Sequence, residues 1–355
     1  MATEGVVVAK DFAGADMMAT FKEIYSKLKE EILQDPIFEF TDESLHWIDR
    51  IVDYNVLGGK CNRGFFVIDS YKIFKGVDVL SKEDTFLACT LGWCLEWFQA
   101  YFNVHDDIMN NSQTRRGRPC WFRVPKVGLI AVNDGFILRG HVSRFIRRHF
   151  KGKPYYVDLI NLFTEIDFKT ASGKMLDLIT THEGEKDLTK YNVTIHHHIA
   201  QYKIAYCSLY LPVACALLLA GENLDNFRNV KNILIEMGTH YQVQDDYLDC
   251  FGDPKSTGKI GTDIEKYKCS WLVVQALEHA DENQKSILFE NYGKPYPACV
   301  CKVKDLYKEL NLEEMFHEYE RKSYNKLITD IEAQPNKHVQ NVLKSVLHKI
   351  YKRKM

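Results

Sequence analysis

Two short acidic runs hold the residues whose chemistry can be read first: His105-Asp106-Asp107-Ile108-Met109-Asn110 and, far downstream, Asp245-Asp246-Tyr247-Leu248-Asp249. On a helix, Asp245 and Asp249 leave one face a turn apart. Like charges crowded this way cost stability unless a cation lies between them. Mg²⁺ takes oxygen ligands, keeps several waters, and is held by one or two carboxylates together with substrate phosphates. Two such runs facing each other would trap a Mg²⁺–diphosphate. One run alone reads more readily as a solvated helix face than as a metal site; the second run, with basic residues beside both, reverses that.

Basic residues accompany both runs. In Gly58-Gly59-Lys60-Cys61-Asn62-Arg63-Gly64, the glycines let backbone approach an anion, and Lys60 and Arg63 supply charge-assisted donors for phosphate oxygens. Taken singly, it is also what a Gly-Gly turn with surface cations looks like. Beyond the first acidic run, Arg115 and Arg116 in Ser112–Trp121 are adjacent, so one loop can grip two phosphate groups. Lys203 enters an apolar stretch, where a snorkelling surface lysine is the plain alternative. Lys174 and Asp177 have the spacing of a surface pair. After the second run, Lys259 in Thr257-Gly258-Lys259-Ile260-Gly261-Thr262-Asp263, then Lys268, alternate cations with carboxylates as a metal-bridged diphosphate requires. His196-His197-His198 point in different directions around a helix and make no shared metal site.

The elements that must position these groups read as helices. Met18-Phe21-Ile24-Leu28-Ile32 step by three and four residues, and Pro36 closes that helix. Leu45-Ile48-Ile51-Tyr54 gives the next, ended at Leu57-Gly58-Gly59. Later apolar-periodic stretches are separated by Gly152-Lys153-Pro154, Gly221-Glu222-Asn223 and Gly252-Asp253-Pro254, with no convincing run of strand alternation. The fold class expected is all-α, a single domain over residues 1–355 with 1–15 flexible. Helical bundles build sites from side chains on facing helices.

Composition narrows the function classes. Hydrophobic residues make up 46% of the 355 and charged residues 26%, ample for a core, and the net charge of −2 argues against nucleic acid. Ten cysteines lack paired or zinc-like spacing and read as reduced thiols, and no secretory or transit pattern appears, so a cytoplasmic protein is expected. No apolar run is judged long enough to span a membrane; Leu209–Ala220 is short and contains Pro212.

Taken together, Gly-Gly-Lys-x-x-Arg at 58–63, Asp-Asp-Ile-Met followed by Thr-Arg-Arg-Gly-x-Pro-Cys-Trp, and Gln-Asp-Asp-Tyr-Leu-Asp with Thr-Gly-Lys-Ile-Gly-Thr-Asp resemble the trans-isoprenyl diphosphate synthases. Within that family the likeness is drawn to the animal, insect-like farnesyl branch. The resemblance implies an all-helical prenyltransferase with a central cavity. It would condense dimethylallyl or geranyl diphosphate with isopentenyl diphosphate, using more than one Mg²⁺, as a homodimer or alternatively a heteromer.

By position in the family motifs, Lys60, Arg63, Gln99 and Arg116 match the isopentenyl diphosphate grip. Arg115, Lys203, Gln242, Lys259 and Lys268 match the allylic side, with Arg115, Lys203 and Gln242 catalytic. Asp106, Asn110, Asp245 and Asp249 match the metal positions. Tyr101 and Phe102, just before the first acidic run, match the residues that floor the pocket and set product length. Three positions depart from the family: Asn110 where Asp is usual, Lys174 for Gln, and Ile204 for Thr. A short-chain synthase, a terpene-synthase-like cyclase built on the same scaffold and a weakly active partner subunit all remain open. The complete isopentenyl diphosphate grip favours the first.

Overall fold

The computed structural model describes residues 14–36, 41–181, 186–253 and 261–351. The fold is all-α, as expected, with one two-residue strand pair among the described residues. The chain divides into two compact units, residues 1–68 with 80–156, and residues 69–79 with 157–355.

The first unit holds α1 (Gly14–Leu33), α2 (Asp42–Asn55), the start of α3 (Asn62–Lys75), α4 (Lys82–Met109) and α5 (Ile130–Phe150). Each begins where the chain supplies a cap or an apolar repeat. Thr41 accepts from the Ser44 amide at the start of α2, with Asp42 and Glu43 in the first turn, and Ser81 accepts from the Asp84 amide at the start of α4. Such caps satisfy amides that have no partner inside the helix. At 28 residues α4 is the axis of this unit, and its stretch from Leu87 to Phe98 is buried on every side. A helix apolar all round belongs in a core. Trp93 stacks on Phe21 with centroids 4.2 Å apart, and Trp97 meets Phe145 edge-on at 5.2 Å. Two glycines set how closely helices approach α4. A Cβ on Gly92 would come within 3.0 Å of the Gly64 carbonyl, and one on Gly135 within 2.3 Å of the His105 ring.

The second unit contains α6 (Tyr156–Thr180, from Val157 on), α7 (Val193–Ile199), α8 (Leu211–Leu219), α9 (Arg228–Phe251), α10 (Trp271–His279), α11 (Glu282–Asn291), α12 (Pro297–Glu309), α13 (Leu312–Glu332) and α14 (Lys337–Ile350). Between α7 and α8 the helix is wound as a π-helix, Ala200–Tyr210. Such wide turns concentrate at functional sites, and this one carries Lys203 and Ile204. It lies against glycines on both neighbours: a Cβ on Gly173 of α6 would meet the Lys203 amide at 2.3 Å, and one on Gly238 of α9 would meet the Ala205 Cβ at 2.2 Å. Tyr247 of α9 stacks on Phe316 of α13 at 3.8 Å.

Two expectations change here. The continuous run Val193–Leu219 is long and apolar enough to cross a membrane by length and composition, although 72% of its apolar window is buried inside the protein. Reading Leu209–Ala220 in isolation missed that the helix continues upstream past Lys203. The arginine loop also contains a strand pair, Thr114–Arg115 with Arg118–Pro119. The turn residues Arg116 and Gly117 both have positive φ, 53° and 74°. That is the two-residue turn whose twist suits a hairpin, and two-residue strands are too short to show alternation in sequence.

Candidate functional site

In the first unit, the glycine loop and the arginine hairpin form one structure. The Arg116 guanidinium donates to the carbonyls of Asn55, Val56 and Leu57 at 2.5–3.2 Å, closing the C-terminal end of α2. Helix C-termini carry partial negative charge and unsatisfied carbonyls, so a guanidinium is a suitable stopper. Gly58 has φ +84°, and a Cβ on Gly59 would come within 2.9 Å of the Arg116 Nη2, so the loop's glycines make room for the arginine. Lys60 is exposed at the end of this loop and Arg63 lies half-buried in the first turn of α3. Glu96 of α4, buried, accepts from the Gly64 amide at 3.1 Å, and its charge acts on Arg116 and on Cys61. One turn further on, Gln99 donates to Asn103 at 2.7 Å. Burial first, and Glu96 second, push the Cys61 thiol up to about 11, so at neutral pH it is an uncharged thiol.

The hairpin is held from beneath by Asp134 of α5. Its two oxygens accept from the Trp47 indole at 3.1 Å and the Trp121 indole at 2.8 Å. Burial raises the Asp134 carboxyl pKa above its ordinary value, against the pull of the two indoles. Arg50 stacks over both indole rings, and Tyr54 donates to the Pro119 carbonyl at 2.7 Å.

The two carboxylates of the first acidic run do different things. Asp107 is buried and receives Arg115 through two bonds, Nη2 at 2.6 Å and Nε at 3.1 Å. Asp106 is partly exposed, 3.9 Å from Arg115. Asn110 caps α4 and donates its amide nitrogen to the Asp106 carbonyl at 2.9 Å. Tyr101 and Phe102 are buried one turn before this run, with centroids 4.4 Å apart, and they touch Phe98 and His105.

In the second unit the central residue is one whose local spacing is that of a surface pair. Asp177 of α6 is buried, and its Oδ2 receives Lys203 at 2.6 Å and Lys268 at 3.0 Å. Burial works to raise its pKa, but the charges of and hydrogen bonds from the two lysines outweigh it and hold the carboxyl well below the usual range. Lys203 is therefore no snorkelling surface lysine. Lys174, one turn before Asp177, is half-buried, and so is Ile204. The pairing joins residues 91 positions apart, and no local spacing announces it.

On α9, Asp246 is buried while Asp245 and Asp249 are half-buried. Asp246 receives His196, Gln242 and the Trp271 amide, all within 2.8 Å. Asp249 accepts from the Asp263 amide at 2.9 Å, which draws Asp263 beside the second acidic run. In sequence Asp263 is one residue of a glycine-containing loop, with nothing local to mark it. Lys259 lies outside the described residues. No preformed nest of three or more His, Cys, Asp or Glu suited to a metal occurs among the described residues.

Comparisons with known proteins give the family and the fold. The sequence pattern of the polyprenyl synthetase family matches residues 45–310. The farnesyl pyrophosphate synthase of Zea mays is 74% identical over 96% of this chain and 97% of its own. Farnesyl pyrophosphate synthase 1, mitochondrial, of Arabidopsis thaliana is 62% identical over 95% of this chain and 88% of its own. A structure of T. brucei farnesyl diphosphate synthase complexed with a bisphosphonate superposes with a TM-score of 0.89 at 30% identity, covering 96% of this chain and all of that one. These high-identity relatives are plant enzymes, so the likeness to the animal, insect-like branch is not supported.

Proposed function

The chain belongs to the polyprenyl synthetase family and is a prenyltransferase, and from that premise we propose that it condenses dimethylallyl or geranyl diphosphate with isopentenyl diphosphate to give farnesyl diphosphate. The observation that carries this reading is the convergence of Lys203 and Lys268 on the single buried carboxylate of Asp177. Two cations against one anion leave a net positive point, buried enough that the charge is weakly screened and suited to a departing diphosphate.

The carbon–oxygen bond of the allylic diphosphate breaks with its electron pair on pyrophosphate. The isopentenyl double bond then supplies the pair for the new carbon–carbon bond, and a proton leaves to pyrophosphate. Lys203, Lys268, Arg115 and Lys259 are assigned to the leaving diphosphate. Lys60, Arg63, Gln99 and Arg116 are assigned to the diphosphate of isopentenyl diphosphate. The proposal has the whole chain work as a single domain, since the family match runs through both compact units. Tyr101 and Phe102 floor the pocket, keep water from the cation and limit product length.

Mg²⁺ is the proposed cofactor. Asp106, Asp245 and Asp249 offer partly exposed carboxylate oxygens, and Asn110 an amide oxygen, which fit a hard cation that arrives with its diphosphate and retains water. When bound it would supply Lewis-acid stabilisation of the leaving group.

A homodimer is proposed from the apolar side chains left exposed on α5 and α6. In the first unit these are Ile130, Val132 and Phe136 with Leu129 just before α5; the second unit, taken by itself, exposes Val157, Ile160, Phe168, Met175 and Ile179. Sedimentation separates this from a monomer or heteromer. The proposed compartment is the cytoplasm, supported by all ten cysteines being free thiols. Cell fractionation separates this from the mitochondrial location in the Arabidopsis relative's name.

Incubating the purified protein with Mg²⁺ and geranyl diphosphate, with and without isopentenyl diphosphate, tests the function. Farnesyl diphosphate formed only when both substrates are present is the expected result. A hydrocarbon or alcohol made from geranyl diphosphate alone would replace this reading with a cyclase.

A further inference from the structure

Asp246 is flanked by the candidate metal ligands Asp245 and Asp249, yet its own carboxylate is turned into the protein and is 5% exposed. Its Oδ2 accepts from His196 Nε2 at 2.8 Å and from the Trp271 amide at 2.7 Å. The Trp271 amide opens α10, where backbone donors lack partners inside the helix and favour a negative charge. The other oxygen, Oδ1, accepts from Gln242 Nε2 at 2.7 Å. His196 is itself 2% exposed, in the last turn of α7.

A carboxylate only accepts hydrogen bonds, so the end of the Gln242 amide that faces it is the NH₂ group. The amide oxygen is then the opposite end. An amide oxygen carries partial negative charge and stabilises a cation, whereas an outward NH₂ would repel one. On the sequence reading Gln242 was placed with the allylic diphosphate, a role that calls for a donor.

We propose that His196 and Asp246 are positioning residues that lock the Gln242 amide with its oxygen outward, as an acceptor for the allylic carbon as positive charge develops there. This rests on the prenyl transfer proposed above. Asp246 thus serves the reaction through Gln242, and His196 serves it through Asp246.

The substitution that reads this most cleanly is Asp246→Asn. Two donors converge on Oδ2, so the asparagine keeps its oxygen there and turns its NH₂ to Gln242. The glutamine must then flip, presenting NH₂ where its oxygen had been. The expected result is a fall in kcat of about 10–100-fold, the usual cost of losing an outer partner, with KM for isopentenyl diphosphate unchanged. In a Gln242→Leu background the same substitution should change kcat by less than about threefold, because residues acting through one another are not additive.

A merely structural role would lower the melting temperature equally in both backgrounds and multiply through in kcat. Should Asp246→Asn fail to fold, His196→Gln against His196→Leu reads the same chain of contacts. Glutamine can still donate to Asp246 and should retain at least tenfold more activity than leucine, a difference that should vanish in the Gln242→Leu background. Independent, multiplying effects in either series overturn the proposal. Absence of condensation by the unaltered protein overturns the prenyl-transfer reading itself and this proposal with it.

Discussion

The two acidic regions share a sequence pattern but spend their charges differently. In both, the middle carboxylate is buried and committed to protein: Asp107 to Arg115, and Asp246 to His196, Gln242 and the start of α10. In both, the first carboxylate, Asp106 or Asp245, is partly exposed. They part at the last position. Asp249 keeps a carboxylate and draws Asp263 beside it, whereas Asn110 turns its amide onto the backbone of its own helix. Their cations differ too. Arg116 is fastened to three backbone carbonyls, while Lys203 and Lys268 are gathered by one side chain, Asp177. The first region is a rigid cradle set by backbone. The second is a charge cluster set by side chains, where removing a single group should do the most harm.

The largest effect is therefore expected at Asp177. Asp177→Ala leaves two lysines facing each other without their counter-ion, and breaking a buried pair by removing one partner costs about 3–5 kcal/mol of stability. Thermal melts of the variant check this. The same carboxylate fixes a pH dependence. Its folded pKa is depressed by Lys203 and Lys268, so its contribution to stability is fully present above the ordinary aspartate value of about 3.9 and is lost as pH falls through the lower folded value. Melts between pH 7 and pH 5 should show no loss from this group, with the loss confined to strong acid; a loss beginning near pH 6 would contradict the assignment.

Next comes the cradle. Arg116→Ala should raise KM for isopentenyl diphosphate by about 10–100-fold, from the 1.5–3 kcal/mol of a charge-assisted contact. Gly59→Ala, which pushes a methyl group into the guanidinium, should raise the same KM by a smaller factor. Neither should alter KM for geranyl diphosphate, and steady-state kinetics with each substrate varied in turn separates the two. The smallest effect is expected at Asn110→Asp, which restores a third carboxylate to the first region. It should lower the Mg²⁺ concentration for half-maximal rate by severalfold, and an unchanged requirement would mean that this position does not face the metal.

The helical fold was legible because its signals are local: the three-and-four spacing of Met18 to Ile32, the glycines after α2, the breakers between later helices. The residues to examine were legible as well, since acidic and basic types cluster along the chain. What those residues touch was not. Asp177 and Lys268 meet across residues 157–355, Glu96 reaches the start of α3 and Asp134 ties two indoles; each depends on packing that no spacing encodes. The π-wound turns at Lys203 were hidden for a related reason. Their winding goes with contacts to Gly173 and Gly238, each thirty or more residues away along the chain from the Lys203 or Ala205 it meets.

On the function proposed above, labour is divided within each acidic run: the middle carboxylate holds protein, and its neighbour is assigned to the metal. The Mg²⁺ concentration giving half-maximal condensation, measured for Asp106→Asn, Asp107→Asn, Asp245→Asn and Asp246→Asn, tests it directly. Asp106→Asn and Asp245→Asn should raise that concentration by about tenfold or more, while Asp107→Asn and Asp246→Asn should lower kcat and leave it unchanged. A matching rise in the Mg²⁺ requirement of Asp107→Asn or Asp246→Asn would contradict the account.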